Sequence, residues 1–280
     1  MREIKNQIFG EERALYGAED FRLVSCTFAG EADGESALKE CNNVECIDCR
    51  FDLRYPLWHD DGAVLLRCVM SDSCRAALWY TTKIDIKDST LHGIKALREC
   101  SDISMSGCDI ESAEFGWMSE DIKCRDCSAV GEYFMFRARN LDFCGLNFRG
   151  KYSFQYVENA RFENCNLDTK DAFWHARNVY VKDSVVKGEY LGWYCEDVTF
   201  ENCKIIGTQP LCYCKGLKLI NCECIECDLS FEKSEVEATI IGNITSIKNP
   251  KSGTIRVDGA DELIFDDGSA EGKVVFTAKV

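Results

Sequence analysis

The run Trp58-His59-Asp60-Asp61 holds the side chains best suited to acid–base chemistry. An imidazole exchanges protons near neutral pH, and hydrolysis of a glycosidic bond uses two carboxyl groups that flank it. His59, Asp60 and Asp61 are therefore candidate catalytic groups of a polysaccharide lyase or glycoside hydrolase. A solvated Asp-Asp turn is the alternative, and we favour it because the chain has no Asn-Thr-Asp, Gly-His-Gly or Arg-Ile-Lys signature.

His175 is a second candidate acid–base group. Arg177 follows two residues later, and Glu158 and Glu196 stand 19 residues to either side of Arg177. The same region carries an aromatic and charged series that could form a ligand-binding face. Its members are Tyr80, Arg137, Tyr156, His175, Arg177, Tyr194 and Tyr213. Aromatic rings interleaved with charged groups suit sugars, whereas the alternative is a sheet whose tyrosines stack and whose charges pair among themselves.

Cysteine pairs raise the possibility of a metal site. The chain has 19 Cys, with close spacing at Cys46/Cys49, at Cys124/Cys127 and in the run Cys222, Cys224 and Cys227. A structural zinc site needs four convergent ligands, and no Cys-x-x-Cys unit here has a matching His pair. We predict that these thiols pack in the interior as small hydrophobic groups, and we predict no metal and no cofactor.

A 19-residue repeat positions all these residues. The pattern alternates apolar and polar residues, then has a turn residue, Cys or Ser, and a final apolar residue. It begins at Phe21, Val44, Ala63, Ile84, Ile103, Ile122, Leu141, Ala160, Val179, Val198, Leu217 and Val236. Every step from Ile84 onward is 19 residues, whereas insertions in the early turns make the first three steps 23, 19 and 21 residues. A period this short excludes helix-pair repeats, and alternation with period two is typical of strands. The sequence therefore predicts an all-β fold, a single-stranded right-handed parallel β-helix (solenoid) with coils of about 19 residues.

The period also predicts which residues share a column along the solenoid. A turn column contains Ser25, Asp48, Asp88, Gly107, Asp126, Gly145, Asn164, Asp183, Asn202 and Asn221, and Cys, Ser or Leu follows each of them. A second turn column contains Gly93, Gly131, Gly150, Gly188 and Gly207. All five Trp share one column, and unbroken strand alternation favours an inward aromatic stack there, although a local bend would reverse it. Glu120, Arg139, Glu158, Arg177, Glu196 and Lys215 alternate in charge and should pair between coils.

Composition limits the possible partners. The net charge of −15 opposes binding to nucleic acid and to anionic membranes. No run of about 18 apolar residues is present, and the segment MREIKNQIFG does not resemble a secretory signal. We therefore expect a cytoplasmic protein whose cysteines are free thiols.

Several stretches resemble an uncharacterised bacterial family of right-handed parallel β-helix proteins in the pectin-lyase-like superfamily. They are GEERALYGAEDF at 10–21, GESALKEC at 34–41, RYPLWHDD at 54–61, AALWY at 76–80 and DAFWHARN at 171–178. The resemblance covers nearly the whole chain and implies the fold. It implies no activity, because a fold alone does not determine function.

These observations predict one domain, 1–280, with an N-terminal cap at 1–20, regular coils at 21–233, and irregular final coils with a C-terminal cap at 234–280. The favoured function is non-catalytic recognition of an oligo- or polysaccharide by the outer sheet face. A carbohydrate-active enzyme and a structural scaffold are the alternatives. The sequence does not predict the oligomeric state.

Overall fold

The computed structural model describes residues 1–30 and 34–277, and it confirms the predicted parallel β-solenoid. All regular secondary structure in these ranges is β-strand. The chain divides into two compact units, Met1–Asp142 and Phe143–Val280.

Short strands make up each coil of the first unit. Its strands are β1 (Arg2–Lys5), β2 (Ile8–Phe9), β3 (Glu19–Val24), β4 (Thr27–Phe28), β5 (Asn42–Ile47), β6 (Arg50–Phe51), β7 (Leu57–Trp58), β8 (Asp61–Leu66), β9 (Val69–Met70), β10 (Leu78–Trp79), β11 (Thr82–Lys87), β12 (Thr90–His92), β13 (Leu97–Arg98), β14 (Ser101–Ser106), β15 (Asp109–Glu111), β16 (Glu120–Arg125) and β17 (Ser128–Glu132). The next strand, β18 (Arg139–Cys144), includes the boundary between the units.

Longer strands appear toward the end of the second unit. Its strands are β19 (Asn147–Lys151), β20 (Glu158–Glu163), β21 (Asn166–Lys170), β22 (Arg177–Lys182), β23 (Val185–Lys187), β24 (Glu196–Glu201), β25 (Lys204–Ile206), β26 (Leu217–Ile225), β27 (Glu235–Lys248), β28 (Ser252–Ile264) and β29 (Lys273–Phe276).

The register of the strands follows the sequence repeat. In the first unit, Ile84 of β11 pairs in parallel with Ile103 of β14, 19 residues later. In the second unit, Val179 of β22 pairs with Val198 of β24 at the same separation. Each long strand of a coil therefore lies beside its equivalent in the next coil, and equivalent side chains form columns.

The predicted turn column bends the backbone. All ten of its predicted residues have positive φ, between 48° and 71°, a conformation that Gly, Asn and Asp adopt most readily. The residues that follow them are at most 4 % exposed. The cysteines among them donate from Sγ to strand carbonyls, as Cys108 does to Ile86 O at 3.5 Å and Cys203 to Val181 O at 3.4 Å. The predicted interior cysteine ladder is confirmed.

The prediction of an inward tryptophan stack is wrong. All five Trp are half-buried, and the interior at this corner is filled by phenylalanines. Phe115 stacks on Phe134 at 5.2 Å in the first unit, and Phe154 stacks on Phe173 at 5.3 Å in the second. Alternation fails because this corner is a turn rather than a strand, with positive φ at alternating residues such as Phe173 and His175.

The N-terminal strands keep the regular 19-residue register, whereas the final coils depart from it. The predicted N-terminal cap begins with β1, which pairs in parallel with β3. In the predicted final coils, β27 and β28 run for 14 and 13 residues. They pair with a shorter separation, 17 residues between Val236 and Gly253, and with a register shift between Ile240 and Asn243.

Candidate functional site

The three side chains of the His59-Asp60-Asp61 run lie in different environments. His59 is exposed, and its ring stacks on Tyr80 at 4.9 Å. Asp60 is only 2 % exposed, and its Oδ1 accepts a hydrogen bond from the Cys41 backbone N at 2.9 Å. Asp61 is exposed on β8 and accepts hydrogen bonds from Thr82 Oγ1 at 2.8 Å and Lys83 Nζ at 2.9 Å. The structure therefore does not bring these candidate acid–base groups together around one point.

The two carboxyl groups also differ in protonation, because one is buried and the other is exposed. Burial raises the pKa of Asp60 to about 8, so this carboxyl is largely neutral at pH 7. Hydrogen bonds from Lys83 and Thr82 lower the pKa of Asp61 and keep it ionised. A column of small buried residues contains Asp60, and the sequence could have revealed it, because Thr81, Cys100, Ser119 and Ala138 follow at nearly the repeat spacing.

Four rings form a continuous stack in the second unit. Tyr156 stacks on His175 at 4.8 Å, His175 on Tyr194 at 5.1 Å, and Tyr194 on Tyr213 at 4.9 Å. The interplanar angles are 12°, 8° and 13°. The backbone sets this spacing, since each ring occupies the same position of successive coils and parallel strands lie about 4.8 Å apart. We call these four residues the aromatic ladder.

The aromatic ladder presents ring edges rather than ring faces. Each inner ring is covered on both faces by its neighbours, so a sugar has little face on which to stack. Tyr156 is nonetheless 39 % exposed and Tyr194 is 43 % exposed. The accessible surface is therefore a row of ring edges that carry hydroxyl and imidazole groups.

Three members of the ladder have polar atoms available to a ligand. Within the described residues, the hydroxyls of Tyr194 and Tyr213 and the imidazole nitrogens of His175 make no hydrogen bond to protein. Tyr16 and Tyr180 differ, because their hydroxyls donate to Glu40 and Glu201. Burial and the nearby Glu232 carboxylate raise the pKa of Tyr213, which keeps its hydroxyl protonated.

The predicted charge alternation borders the ladder. Glu196 lies between two cations, with Arg177 Nε at 3.5 Å and Lys215 Nζ at 3.3 Å. The register pairs Arg177 with Glu158 on its other side. In the first unit, Arg139 Nη2 pairs with Glu120 Oε2 at 2.7 Å. These exposed pairs contribute little stability individually, and they place both charge signs beside the ring edges.

Half-buried tryptophans support the ladder from behind. Trp174 and Trp193 stack at 5.4 Å, and their indole nitrogens donate to Tyr190 O at 2.6 Å and Gln209 O at 2.8 Å in the following coil. Trp193 also meets Tyr194 and Tyr213 edge-on. These bonds fix the ring orientations, a role that the sequence did not predict.

The corresponding column of the first unit is interrupted. His59 and Tyr80 form one stacked pair, but Glu99, Met118 and Arg137 occupy the next positions. Arg137 lies over the Phe136 ring at 5.4 Å. The seven predicted ligand-binding residues are therefore divided between the units. The second unit contains Tyr156, His175, Arg177, Tyr194 and Tyr213, and the first contains Tyr80 and Arg137.

Two further features concern ions and membranes. Within residues 1–30 and 34–277, no three His, Cys, Asp or Glu side chains cluster in a way that could hold a metal ion. The same ranges contain no helix of the length and apolarity that crossing a bilayer requires.

Three solved structures match the chain at low similarity. Tailspike protein 3 of bacteriophage CBA120 matches 98 % of this chain at 10 % identity with a TM-score of 0.34, and this chain spans 51 % of the tailspike. PfbA, a surface adhesin of Streptococcus pneumoniae, matches 93 % at 9 % identity with a TM-score of 0.27, over 70 % of its own length. The fluoroquinolone resistance protein QnrB1 matches 79 % at 14 % identity with a TM-score of 0.17, over 92 % of its length. Similarities this low do not allow the function of any of these proteins to be assigned to this chain.

No curated protein matches the sequence significantly. A family model does match, and it covers residues 2–276, almost the entire chain that carries the coils and the aromatic ladder. The chain therefore belongs to the family described as protein of unknown function DUF3737.

Proposed function

We propose that this protein is a non-catalytic carbohydrate-recognition β-helix that binds an oligo- or polysaccharide along the aromatic ladder. The observation that carries the proposal is the row of ring edges, exposed at Tyr156 and Tyr194, in which the polar atoms of His175, Tyr194 and Tyr213 have no protein partner in the described chain. Sugar hydroxyls both donate and accept hydrogen bonds, so they match a row of phenol and imidazole groups. Arg177, Glu196 and Lys215 add charged donors and acceptors at the border.

Binding is a better-supported function than turnover. Hydrolysis of a glycosidic bond uses two carboxyl groups on either side of the sugar. Near His175, Glu196 is engaged between two cations, and at the other candidate centre Asp60 points into the interior. The recognition function needs only the ring edges that the structure presents.

We further propose a cytoplasmic location and a place in the bacterial pectin-lyase-like superfamily. The cytoplasmic location rests on the thiols, since all 19 cysteines are free and 18 of them are buried. Free thiols at this density suit a reducing compartment. The superfamily proposal rests on the sequence stretches that resemble its members and on the parallel coils.

Glycan-binding measurements on Tyr→Phe variants test whether the ring hydroxyls of the aromatic ladder contribute to affinity. Purified protein is applied to an array of neutral and acidic oligosaccharides, and affinity for retained glycans is measured by calorimetry. Tyr194→Phe combined with Tyr213→Phe removes two hydroxyls and keeps the stack. Two lost hydrogen bonds should weaken binding about tenfold, since each contributes roughly 0.5–1.5 kcal/mol.

Tyr180→Phe is the matched control, because its hydroxyl is bonded to Glu201 and lies outside the ladder. It should leave affinity unchanged. An array without any retained glycan, or equal affinity of the double variant and the parent protein, would overturn the proposal. Release of new reducing or unsaturated ends that His175→Ala abolishes would instead establish the enzyme alternative.

A further inference from the structure

A second surface of the second unit is an open groove of about 480 Å³. Its size falls within the range of small-molecule binding sites. Gly188 and Gly207 line it, and its other lining residues include Ile206, Thr208, Asp168, Lys170, Lys187 and Glu189. The sequence revealed the glycines as a turn column, but it gave no reason to connect them with the flanking charges.

Packing between coils requires glycine at two positions that line the groove. A Cβ at Gly188 would lie 2.2 Å from the Thr169 carbonyl oxygen, and one at Gly207 would lie 2.3 Å from the Gly188 carbonyl oxygen. Both contacts involve backbone atoms of the preceding coil, so neither position accepts a larger residue without a backbone shift. The concavity is therefore a fixed feature of the fold.

The charges of the groove leave one carboxylate without a partner. Lys170 Nζ pairs with Glu189 Oε2 at 2.7 Å, and Lys187 Nζ pairs with Asp168 Oδ2 at 3.8 Å. Glu226, on the coil after Gly207, also lines the groove and is exposed. Among the described residues it has no ion-pair or hydrogen-bond partner. The groove thus offers donors and acceptors in alternation and one surplus negative charge.

Direct contacts connect the groove with the aromatic ladder. Lys170 Nζ lies 5.3 Å from the centre of the Tyr190 ring, and Tyr190 meets Trp193 edge-on at 5.5 Å. Trp193 in turn contacts Tyr194 of the ladder at 6.3 Å. A saccharide on the ladder can therefore extend over Tyr190 toward the groove without leaving the surface of this unit.

We infer that the groove binds an amino-sugar residue of the recognised saccharide, with Glu226 accepting hydrogen bonds from its ammonium group and the Lys–carboxylate pairs contacting its hydroxyls. This inference rests on the proposed carbohydrate recognition and specifies its substrate class as a cationic, hexosamine-containing glycan. A glycine-containing groove bordered by ionic groups suits a polar ring, and a single unpaired carboxylate suits a single positive charge.

Three ligands distinguish the contribution of the sugar ring from that of the positive charge. Calorimetry compares glucosamine oligomers with N-acetylglucosamine oligomers, which have the same rings without the charge, and with putrescine, which has charge without a ring. We expect glucosamine oligomers to bind at least tenfold more tightly than either. Glu226→Gln should remove that preference. Glu223→Gln is the matched control on the same coil, because Glu223 pairs with Lys204 at 3.4 Å outside the groove, and it should retain the preference.

Equal binding of putrescine and glucosamine oligomers would overturn the amino-sugar inference, and so would an unchanged preference in Glu226→Gln. The ladder variants identify which proposal has failed. If Tyr194→Phe with Tyr213→Phe weakens glycan binding while Glu226→Gln has no effect, recognition by the ladder stands and the groove inference falls. If only Glu226→Gln acts, the groove inference is supported and the ladder proposal falls.

Discussion

Asp60 is the residue whose environment is least favourable for its charged form. The side chain is 2 % exposed, and while Oδ1 accepts a bond from the Cys41 backbone, Oδ2 is buried without a partner among the described residues. An unpaired buried carboxylate is costly, so the fold favours the protonated acid. Accordingly its pKa is raised to about 8.

This shift predicts a pH dependence of stability. The native state binds a proton at Asp60 up to about pH 8, whereas the unfolded chain releases it near pH 4. The free energy of unfolding therefore falls as pH rises between those values. Asp60→Asn removes the ionisation, so it should resemble the parent at or below about pH 4 and become more stable than the parent, by a few kcal/mol at about pH 8–9. Urea unfolding followed by tryptophan fluorescence measures the difference.

Asp61→Asn is the neighbouring control. Asp61 is exposed and ionised beside Lys83, with a lowered pKa, so its removal should slightly destabilise the protein above about pH 4. A difference between Asp60→Asn and the parent that stays constant from about pH 5 to pH 9 would contradict the assigned burial of the charge.

For single residues, the sequence predicts burial correctly where the repeat period determines it. It does not predict burial that depends on the direction in which a side chain points. The cysteines after each turn are correctly placed inside, because the repeat fixes their column. Asp60 was considered for acid–base chemistry beside His59 and Asp61, but a positive φ of 61° at His59 turns the chain so that consecutive side chains point to different sides. Local conformation of this kind is not encoded in residue type alone.

Close packing between adjacent coils shapes the glycine-lined groove. It brings backbone of adjacent coils so close that some positions admit only glycine. Gly131 is such a position, since a Cβ would lie 2.2 Å from the Ser112 carbonyl oxygen. It was predicted in the second turn column, but the structure places it within strand β17 of the first unit. Because the neighbouring atom is backbone, relief requires displacement of a coil.

Gly131→Ala should therefore destabilise the protein, by about 1–3 kcal/mol as in other overpacked sites. Gly268→Ala is the control, because a Cβ at Gly268 meets nothing within 4 Å. The control should be neutral or slightly stabilising, since alanine restricts the unfolded chain. Chemical denaturation of both variants checks this. If the two variants were equally stable, adjacent coils would not be close-packed at Gly131.

The elements also show where sequence patterning stops working. Strand alternation correctly places Ile84 and Ile86 inside and Asp85 toward solvent, because β11 is a regular strand. At the aromatic corner the same alternation predicts an inward Trp column and fails, since residues with left-handed backbone alternate with ordinary ones there. The column that contains His175 and Tyr194 was nevertheless predicted, because the period aligns these residues whichever way they face.

At the scale of the whole molecule, the period is sufficient to predict the architecture. Nearest-neighbour contacts between coils dominate such solenoids, so a repeated interior column stabilises every turn. The long strands β27 and β28 depart from the repeat, and their 17-residue separation is not visible in a sequence that has lost its cysteines there. Both units contain interior thiols, which offer a chain-wide probe of this packing.

Thiol reactivity in the native state should be confined to Cys144, the only cysteine that is not buried. Reactivity depends on access and on the thiolate form, and burial raises the pKa of Cys41 and of Cys100 to about 12. Maleimide labelling mapped by mass spectrometry should find Cys144 in the folded protein and all 19 cysteines after denaturation. Cys144→Ser should leave the folded protein unlabelled. Native labelling at Cys68 or Cys203 as fast as at Cys144 would mean that the interior cysteine ladder is open to solvent. The thiols would then not form the close-packed interior on which both candidate surfaces depend.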